Sequence, residues 1–193
     1  DLHSFPTRRS SDLLSCSFLT NCLGARVFSP VVQISEHPHL VGGMASSLFD
    51  SDGVATRHRE VVTTGELQGY FLGVYSARKL GMQSTGNAGG CHNLIVRPGS
   101  HDFSGLLRTM RRGLLVTELL GHGINYVSGD YSRGAAGFWV EDGEIAYPVE
   151  EITIAGNLKD MFRHIVEVGN DILVRGSKQV GSILIEEMKV AGG

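Results

Sequence analysis

The sequence has few cysteines, no excess of basic residues and no long apolar run. Its three cysteines among 193 residues are an odd number and contain no C-x-x-C pair, which argues against a disulfide framework. The formal net charge is −3, so the chain has no basic surface to attract a nucleic-acid backbone. No apolar run approaches the roughly 20 residues of a membrane-spanning helix, and no segment at the start resembles a signal peptide. These absences favour a reduced, cytoplasmic protein that binds neither nucleic acid nor a membrane directly.

Glycine is the residue present in excess. Its 26 copies are nearly twice the average usage of about 7%. They lie between apolar segments, where glycine supplies turns, bulges and positive φ angles. With 41% hydrophobic and 19% charged residues, the chain is long enough for one domain with a real core. The composition therefore predicts many short elements joined by tight turns, which is typical of a sheet-rich fold.

The first thirteen residues differ in character from the rest. The stretch HSFPTRRSSDL (3–13) has neither helical nor strand periodicity, and it resembles the translation of a sequencing adapter. We expect residues 1–13 to be a non-native leader, followed by one domain at 14–193 that is truncated on its N-terminal side. A native polar leader is the alternative, and both interpretations predict a poorly ordered tail.

Alternation, helical spacing and turn residues predict a mixed α+β domain. About three short helices are expected: one in YSARKLGM (75–82), one around Phe103 to Met110, and one from Asn157, a good N-cap, towards Gly169. The predicted strands are VVQIS (31–35), a hairpin turning at Thr64-Gly65, the strand in GCHNLIVRPG, a buried LLVTELL, a hairpin turning at Asp142-Gly143, and one or two strands in the closing GSILIEEMKVAGG. Because several connections are hairpins, we predict a mainly antiparallel, barrel-like mixed sheet rather than a doubly wound parallel one.

The stretch GHGINYVSGDYSRGAAG (121–137) is the main candidate for a site. It contains no phosphate-binding G-x-x-x-x-G-K-[ST], it lacks the third glycine of G-x-G-x-x-G, and it has no G-x-S-x-G nucleophile elbow. His122 and Asn125 are polar side chains among glycines, where a ligand can approach the backbone closely. Asp130 and Arg133 either form an ion pair that holds the loop, which is the favoured interpretation, or face the termini of a substrate.

The spacing of histidine and cysteine predicts no self-contained metal site. No two histidines lie four apart on a helix, and no H-E-x-x-H occurs. His37 and His39 are separated by a proline, and a strand would direct Cys91 and His92 to opposite faces. Burial of Cys91 is therefore the preferred interpretation. His164 is expected to lie on the surface.

Several long motifs resemble the C-terminal domain of the TldD/PmbA family, on its PmbA (TldE) side. The resemblance extends from about Phe18 to the end and includes HPHLVGGMASSLFDSDGVATR, YSARKLGM, STGNAGGCHNL, GLLVTELLGHGINYVSGDYSRGAAGFWVEDGEIAYPVEEITIAGNL, VGNDI and GSILIEEMKVAG. It implies a subunit of a cytoplasmic TldD-PmbA heterodimeric metalloprotease that binds and degrades or processes small or unfolded peptides. The fold implied is α+β with a barrel-like sheet, preceded in the family by an N-terminal domain.

The same resemblance implies that the catalytic zinc belongs to a TldD-type partner. TldD subunits carry H-E-x-x-x-H and a cysteine near the C-terminus, whereas the corresponding segment here, NDILVRGSKQVGSI, has no cysteine. No catalytic or metal-binding residue is therefore assigned to this chain, and His122, Asn125, Asp130 and Arg133 are candidates for a peptide groove or a subunit interface. Two alternatives stay open: an autonomous zinc metallopeptidase with its motif upstream, and a regulatory interaction protein linked to DNA gyrase.

Overall fold

The computed structural model describes residues 17–192, so the leader predicted at 1–13 lies outside the described residues. This part of the chain has three helices: α1 (Val74–Lys79), α2 (Phe103–Met110) and α3 (Leu158–Arg163). None of them is long and apolar enough to cross a membrane. It also has twelve strands, which are β1 (Ile34–His37), β2 (Arg59–Thr63), β3 (Glu66–Leu67), β4 (Asn93–Val96), β5 (Gly113–Leu120), β6 (Asp130–Glu141), β7 (Glu144–Asn157), β8 (Ile165–Val168), β9 (Leu173–Arg175), β10 (Lys178–Val180), β11 (Ile183–Ile185) and β12 (Lys189–Ala191).

The strands form three sheets. The largest has the order β3-β2-β1-β4-β10-β9, the second has the order β12-β7-β6-β5, and β8 pairs with β11. Among the strand pairs within residues 17–192, only β4 and β10 run parallel, so the α+β class and the mainly antiparallel mixed sheet are confirmed. The expected barrel-like closure is not found within residues 17–192. The edge strands of the largest sheet, β3 and β9, have two and three residues and do not pair with each other.

One cluster of buried apolar side chains connects all three sheets. It includes Val61 and Leu94 of the six-stranded sheet, Ile154 of the four-stranded sheet and Ile165 of β8. Val61 and Leu94 have no exposed surface. Removing such side chains from water supplies roughly 1.5–3 kcal/mol each. This core therefore holds the strands from which the candidate site extends.

Both predicted hairpins are present, and each turns at the two residues that the sequence predicted. Thr64 and Gly65 connect β2 to β3 with φ angles of 51° and 79°. Asp142 and Gly143 connect β6 to β7 with φ angles of 50° and 81°. Positive φ at both central residues is the requirement of a two-residue type I′ turn, and it matches the right-handed twist of the flanking strands.

Two predicted elements have different bounds in the structure. The helix expected to continue towards Gly169 ends at Arg163, and Ile165–Val168 forms β8 because its β-branched residues pair with β11. His164, the C-cap of α3, is exposed as predicted. The first strand covers Ile34–His37 rather than VVQIS.

The segment LLVTELL forms β5 but is not a buried strand. β5 lies at the edge of the four-stranded sheet and pairs there with β6. Its side chains are half-buried or exposed, and Leu120 is 52% exposed. A run of apolar residues is compatible with a central strand and with an edge strand, because apolar composition does not show how many strands pair with it.

Candidate functional site

The glycine-rich stretch forms the connection from β5 to β6 and the first part of β6. The backbone N–H of Asn125 donates to the Asp130 carbonyl at 2.8 Å, and the Gly129 N–H donates to the Asn125 carbonyl at 2.8 Å. Asn125 Oδ1 accepts the N–H groups of Val127 at 2.9 Å and Ser128 at 3.3 Å. Asn125 therefore closes the turn with both its side chain and its backbone, as asparagine commonly does.

Asp130 connects this turn to the start of α3. Its Oδ2 accepts a hydrogen bond from Ser128 Oγ at 2.6 Å, and its Oδ1 accepts one from Asn157 Nδ2 at 3.1 Å. These two hydrogen bonds, the Ser128 bond first, lower the pKa of Asp130 below its usual range. Asn157 is also the predicted N-cap, and its Oδ1 accepts the N–H of Lys159 at 3.0 Å.

Asp130 is expected to titrate below an ordinary aspartate, with Ser128 as the main cause. A ¹³C carboxyl titration of the folded chain measures the midpoint, and Ser128→Ala should move it upward. Because the folded pKa is depressed, Asp130 contributes stability that is present above its unfolded pKa and lost as pH falls through the folded value. Ser132→Ala, an exposed serine two residues further along β6, should leave the midpoint unchanged. An ordinary midpoint in the unsubstituted chain would contradict the hydrogen-bonding account.

Arg133 lies on the opposite face of β6 from Asp130, because strand residues three apart point to opposite sides. Its Nη2 donates to the carbonyl of Leu119 on β5 at 3.3 Å. The guanidinium is also close to Tyr131, whose pKa is raised by burial and lowered less strongly by Arg133. The ion pair of Asp130 with Arg133 that the sequence favoured is therefore not formed, and each side chain stabilises a different side of the strand.

His122 is exposed to solvent at the start of the connection. The next residue, Gly123, accepts the Ser132 N–H at 2.7 Å. A Cβ atom at position 123 would collide with the Ser132 carbonyl oxygen, so this close approach of two backbones requires glycine. The connection thus offers exposed polar groups on a tightly held backbone, which suits binding rather than nucleophilic chemistry.

A second polar cluster, which the sequence analysis missed, lies beneath the glycine-rich STGNAGG segment. Its centre is Glu36, which is 1% exposed. Glu36 Oε2 accepts a hydrogen bond from Arg59 Nε at 2.7 Å. Oε1 accepts from Asn87 Nδ2 and from the backbone N–H of His92, both at 2.7 Å. The buried carboxylate is therefore both neutralised and hydrogen-bonded.

Arg59 uses all three of its nitrogen atoms in this cluster. Besides the bond to Glu36, Nη1 donates to the Tyr70 carbonyl at 2.9 Å and Nη2 donates to Asn87 Oδ1 at 3.0 Å. Its Cζ lies 4.9 Å from the centroid of the Phe71 ring. This planar arrangement is specific to arginine, and it ties β1, β2 and the STGNAGG segment together.

Part of a signal for this cluster is present in the sequence. Val32, Ile34 and Glu36 follow period two, so Glu36 falls on the inward face with the two apolar residues. A carboxylate on that face requires a buried partner. Nothing local identifies Arg59 as that partner, because it is 23 residues away and reaches Glu36 through the pairing of β1 with β2.

Residues 17–192 contain no group of three or more histidine, cysteine, aspartate or glutamate side chains that could hold a metal ion. Two histidine contacts were not predicted: the His37 and His58 rings lie 4.4 Å apart, and His101 Nδ1 lies 2.7 Å from Glu167 Oε2. Burial, followed by the charge of His58, lowers the pKa of His37. The Cys91 thiol is half-buried, and burial raises its pKa. The described donors do not fit a catalytic zinc, and no step of hydrolysis is assigned to them.

Comparisons with known proteins agree across sequence and structure. The PmbA/TldA metallopeptidase C-terminal domain matches residues 10–192. Metalloprotease PmbA of Escherichia coli O157:H7 is 55% identical over 176 residues, which cover 91% of this chain and 39% of that protein. The structure of TldE from Thermococcus kodakarensis has a TM-score of 0.79 and 26% identity, covering 91% of this chain and 43% of that one. A Thermotoga maritima structure, described as a candidate modulator of a DNA gyrase, has a TM-score of 0.89 and 39% identity, covering 98% of this chain and 46% of that one.

These matches first define a class, the C-terminal domain of a metallopeptidase. The chain belongs to the PmbA/TldD family, which confirms the resemblance carried by its long motifs. It spans 39% of the length of the Escherichia coli relative and 46% of the Thermotoga maritima chain. What a whole protein of this kind cleaves, and with which partner, is therefore a matter for proposal.

Proposed function

We propose that this domain belongs to a PmbA-type subunit that binds small or unfolded peptides in a cytoplasmic TldD-PmbA heterodimeric metalloprotease. In this proposal the TldD-type partner holds the catalytic zinc, and this chain contributes to peptide binding. The main support is the 55% identity to Metalloprotease PmbA across 91% of the chain. The donors Glu36 and His92 agree with a non-catalytic role, because both are already engaged with buried protein groups.

The edge of the four-stranded sheet is a suitable place for an extended peptide. β5 is the last strand in the order β12-β7-β6-β5, so its outer backbone groups can accept a further strand. His122 and Asn125 follow directly after this edge on an exposed connection. Backbone pairing needs no particular side chain, which suits peptides of varied sequence. His122 adds a polar group at the end of the edge.

The proposal predicts peptide hydrolysis only in the presence of the partner. The full chain, purified alone, should neither bind stoichiometric zinc nor cleave an unfolded peptide. Adding a TldD-type protein should produce cleavage that a chelator abolishes. Metal analysis and a peptide-cleavage assay measure both properties. Cleavage by the chain alone, lost on chelation, would instead support the autonomous peptidase.

The role of His122 can be tested within the same assay. His122→Ala should raise KM roughly two- to tenfold, the effect of losing one hydrogen bond to the peptide, with kcat nearly unchanged. Val127→Ala, which truncates another exposed side chain of the connection, is the matched control and should leave both constants unchanged. Equal effects of the two substitutions would contradict a specific role for His122.

A link to DNA gyrase is the alternative that one observation favours, namely the description of the Thermotoga maritima structure. The net charge of −3 argues against direct binding to DNA. Direct binding of the chain to gyrase, with no effect on peptide cleavage by a TldD-type protein, would favour this alternative.

A further inference from the structure

Two imidazoles lie side by side on the outer face of the six-stranded sheet. β1 and β2 pair antiparallel, with Glu36 opposite Arg59. His37 is the next residue of β1 and His58 directly precedes β2, so this register brings the two histidines opposite each other. Their ring centroids lie 4.4 Å apart. Because Glu36 is buried and neighbours in a strand point to opposite faces, His37 and His58 lie on the side of the sheet that is open to solvent.

The same face carries a hydroxyl and a carboxylate beside the two rings. Ser35 pairs across the strands with Glu60, and each lies two residues from one of the histidines. Residues two apart in a strand share a face. Ser35 Oγ lies 2.9 Å from His37 Nε2, and Glu60 is exposed. This face therefore combines two nitrogen donors with a group that orients one ring and a negative charge that favours a cation.

Both rings have a nitrogen that can bind an ion. The contact with Ser35 engages His37 Nε2, whereas His37 Nδ1 and both ring nitrogens of His58 have no hydrogen-bond partner within residues 17–192. Burial and then the charge of His58 lower the pKa of His37, and Glu60 opposes this more weakly. Histidines that bind a metal ion usually form a hydrogen bond through their other nitrogen, as His37 does with Ser35.

The spacing of the rings fits a metal ion whose ligands stand at right angles. A ring centroid lies about 3.2 Å from the ion when the imidazole nitrogen binds at roughly 2.0–2.1 Å. Two such centroids are about 4.5 Å apart for a right angle at the ion and about 5.2 Å apart for a tetrahedral angle. The observed 4.4 Å matches the right angle. Tetragonal and octahedral ions such as Cu²⁺ and Ni²⁺ have this angle between neighbouring ligands, whereas zinc prefers the tetrahedral one.

We propose that His37 and His58 form a site for an exchangeable divalent transition-metal ion, Ni²⁺ or Cu²⁺, whose remaining ligands are water. Two protein ligands hold an ion less firmly than the four of a structural zinc site. The chain purified without added metal should therefore contain none. A site with two protein ligands agrees with the finding that residues 17–192 contain no group of three or more such side chains. This proposal does not depend on the proposed peptidase function.

Ni²⁺ tests the site in the full chain, because this paramagnetic ion broadens the imidazole NMR signals of the histidines that bind it. The chain carries His3→Ala, since His3 supplies a further imidazole outside the described residues. At substoichiometric Ni²⁺ the signals of His37 and His58 should broaden before those of His122, an exposed histidine of the β5–β6 connection. Equal broadening of all three residues, or none at His37 and His58, would overturn the proposal.

Calorimetric titration with Ni²⁺ measures the affinity of the site. His37→Gln and His58→Gln should each weaken binding roughly tenfold to a hundredfold, because two ligands held together act as a chelate. Ser35→Ala, which removes the contact that orients His37, should weaken it about tenfold. His39→Gln is the matched control: this histidine is two residues after His37 and contacts Thr56 Oγ1, and the affinity should stay unchanged. Unchanged affinity in His58→Gln would contradict the site.

A bound ion would also link β1 to β2 beside the buried pair of Glu36 and Arg59. An ion that binds only the folded chain raises its unfolding temperature by mass action. Saturating Ni²⁺ should raise the unfolding temperature of the His39→Gln chain but not that of the His58→Gln chain. His58 is exposed and lies outside the strands, so His58→Gln carries the test even if His37→Gln does not fold. An equal rise in both chains would place the ion elsewhere and overturn the proposal.

Discussion

Replacing Glu36 by glutamine should lower the free energy of unfolding by about 3–5 kcal/mol, the cost of removing one partner of a buried ion pair. The amide has nearly the shape of the carboxylate, so packing is preserved. Its NH₂ group, however, would face either Arg59 Nε or the donors Asn87 Nδ2 and His92 N–H. The guanidinium of Arg59 would then be left largely buried and without its counter-charge.

Urea denaturation followed by circular dichroism measures this loss, with the slope m as a check that the unfolded state is unchanged. Glu118→Gln removes a carboxylate from the exposed side of β5 and is the matched control. We expect the control to change stability by less than about 0.5 kcal/mol. A Glu36→Gln variant as stable as the control would mean that the buried pair contributes nothing to the fold.

Replacing Gly123 by alanine should destabilise the protein by about 1–3 kcal/mol, the usual cost of overpacking. The added methyl group would meet the carbonyl oxygen of Ser132, which is backbone and cannot rotate away. Relief requires the connection to separate from β6, which breaks the hydrogen bond from the Ser132 N–H to the Gly123 carbonyl. His122 and Asn125, on either side, would lose their positions.

Gly134→Ala is the matched control, because Gly134 lies in β6, two residues after Ser132, and its φ is not positive. A methyl group there would lie 3.3 Å from Leu120 Cβ, a contact that a shift of a few tenths of an ångström relieves, and no backbone atom would be closer than 3.8 Å. Thermal unfolding of both variants measures the loss of stability. Peptide cleavage in the presence of the TldD-type partner measures the effect on peptide binding. A Gly123→Ala variant with unchanged stability and unchanged KM would show that this close backbone approach is dispensable.

The hydrogen bonds of the β5–β6 connection affect how its variants must be interpreted. Asn125 and Asp130 both hold the turn through their side chains. Arg133 donates to β5. Substitutions at these three residues will change stability as well as any binding, whereas His122 is the candidate with the least structural involvement. A KM effect at His122 without a change in unfolding free energy is therefore the most informative result for peptide binding.

Features that depend on neighbouring residues were predicted well. The turn at Asp142-Gly143 needs two residues that tolerate positive φ, and both are adjacent in the sequence. The cap of α3 needs an asparagine two residues before the N–H that it accepts. Such local preferences are decided by sterics and hydrogen bonds within a few residues, so the α+β class and the hairpins follow from them. The family resemblance likewise depended on motifs whose residues are contiguous in the sequence.

The sequence by itself determined the local turns, the caps, the short helices and the family of this protein. Only the tertiary structure decided which distant groups meet: Arg59 with Glu36, His92 with Ala45 and Gly86, and β8 with β11 in place of a longer helix. It also decided that Asp130 bonds to Ser128 and Asn157 rather than to Arg133. The physical reason is that these contacts require strands far apart in the chain to pair first, and strand pairing depends on packing of the whole core rather than on any short pattern.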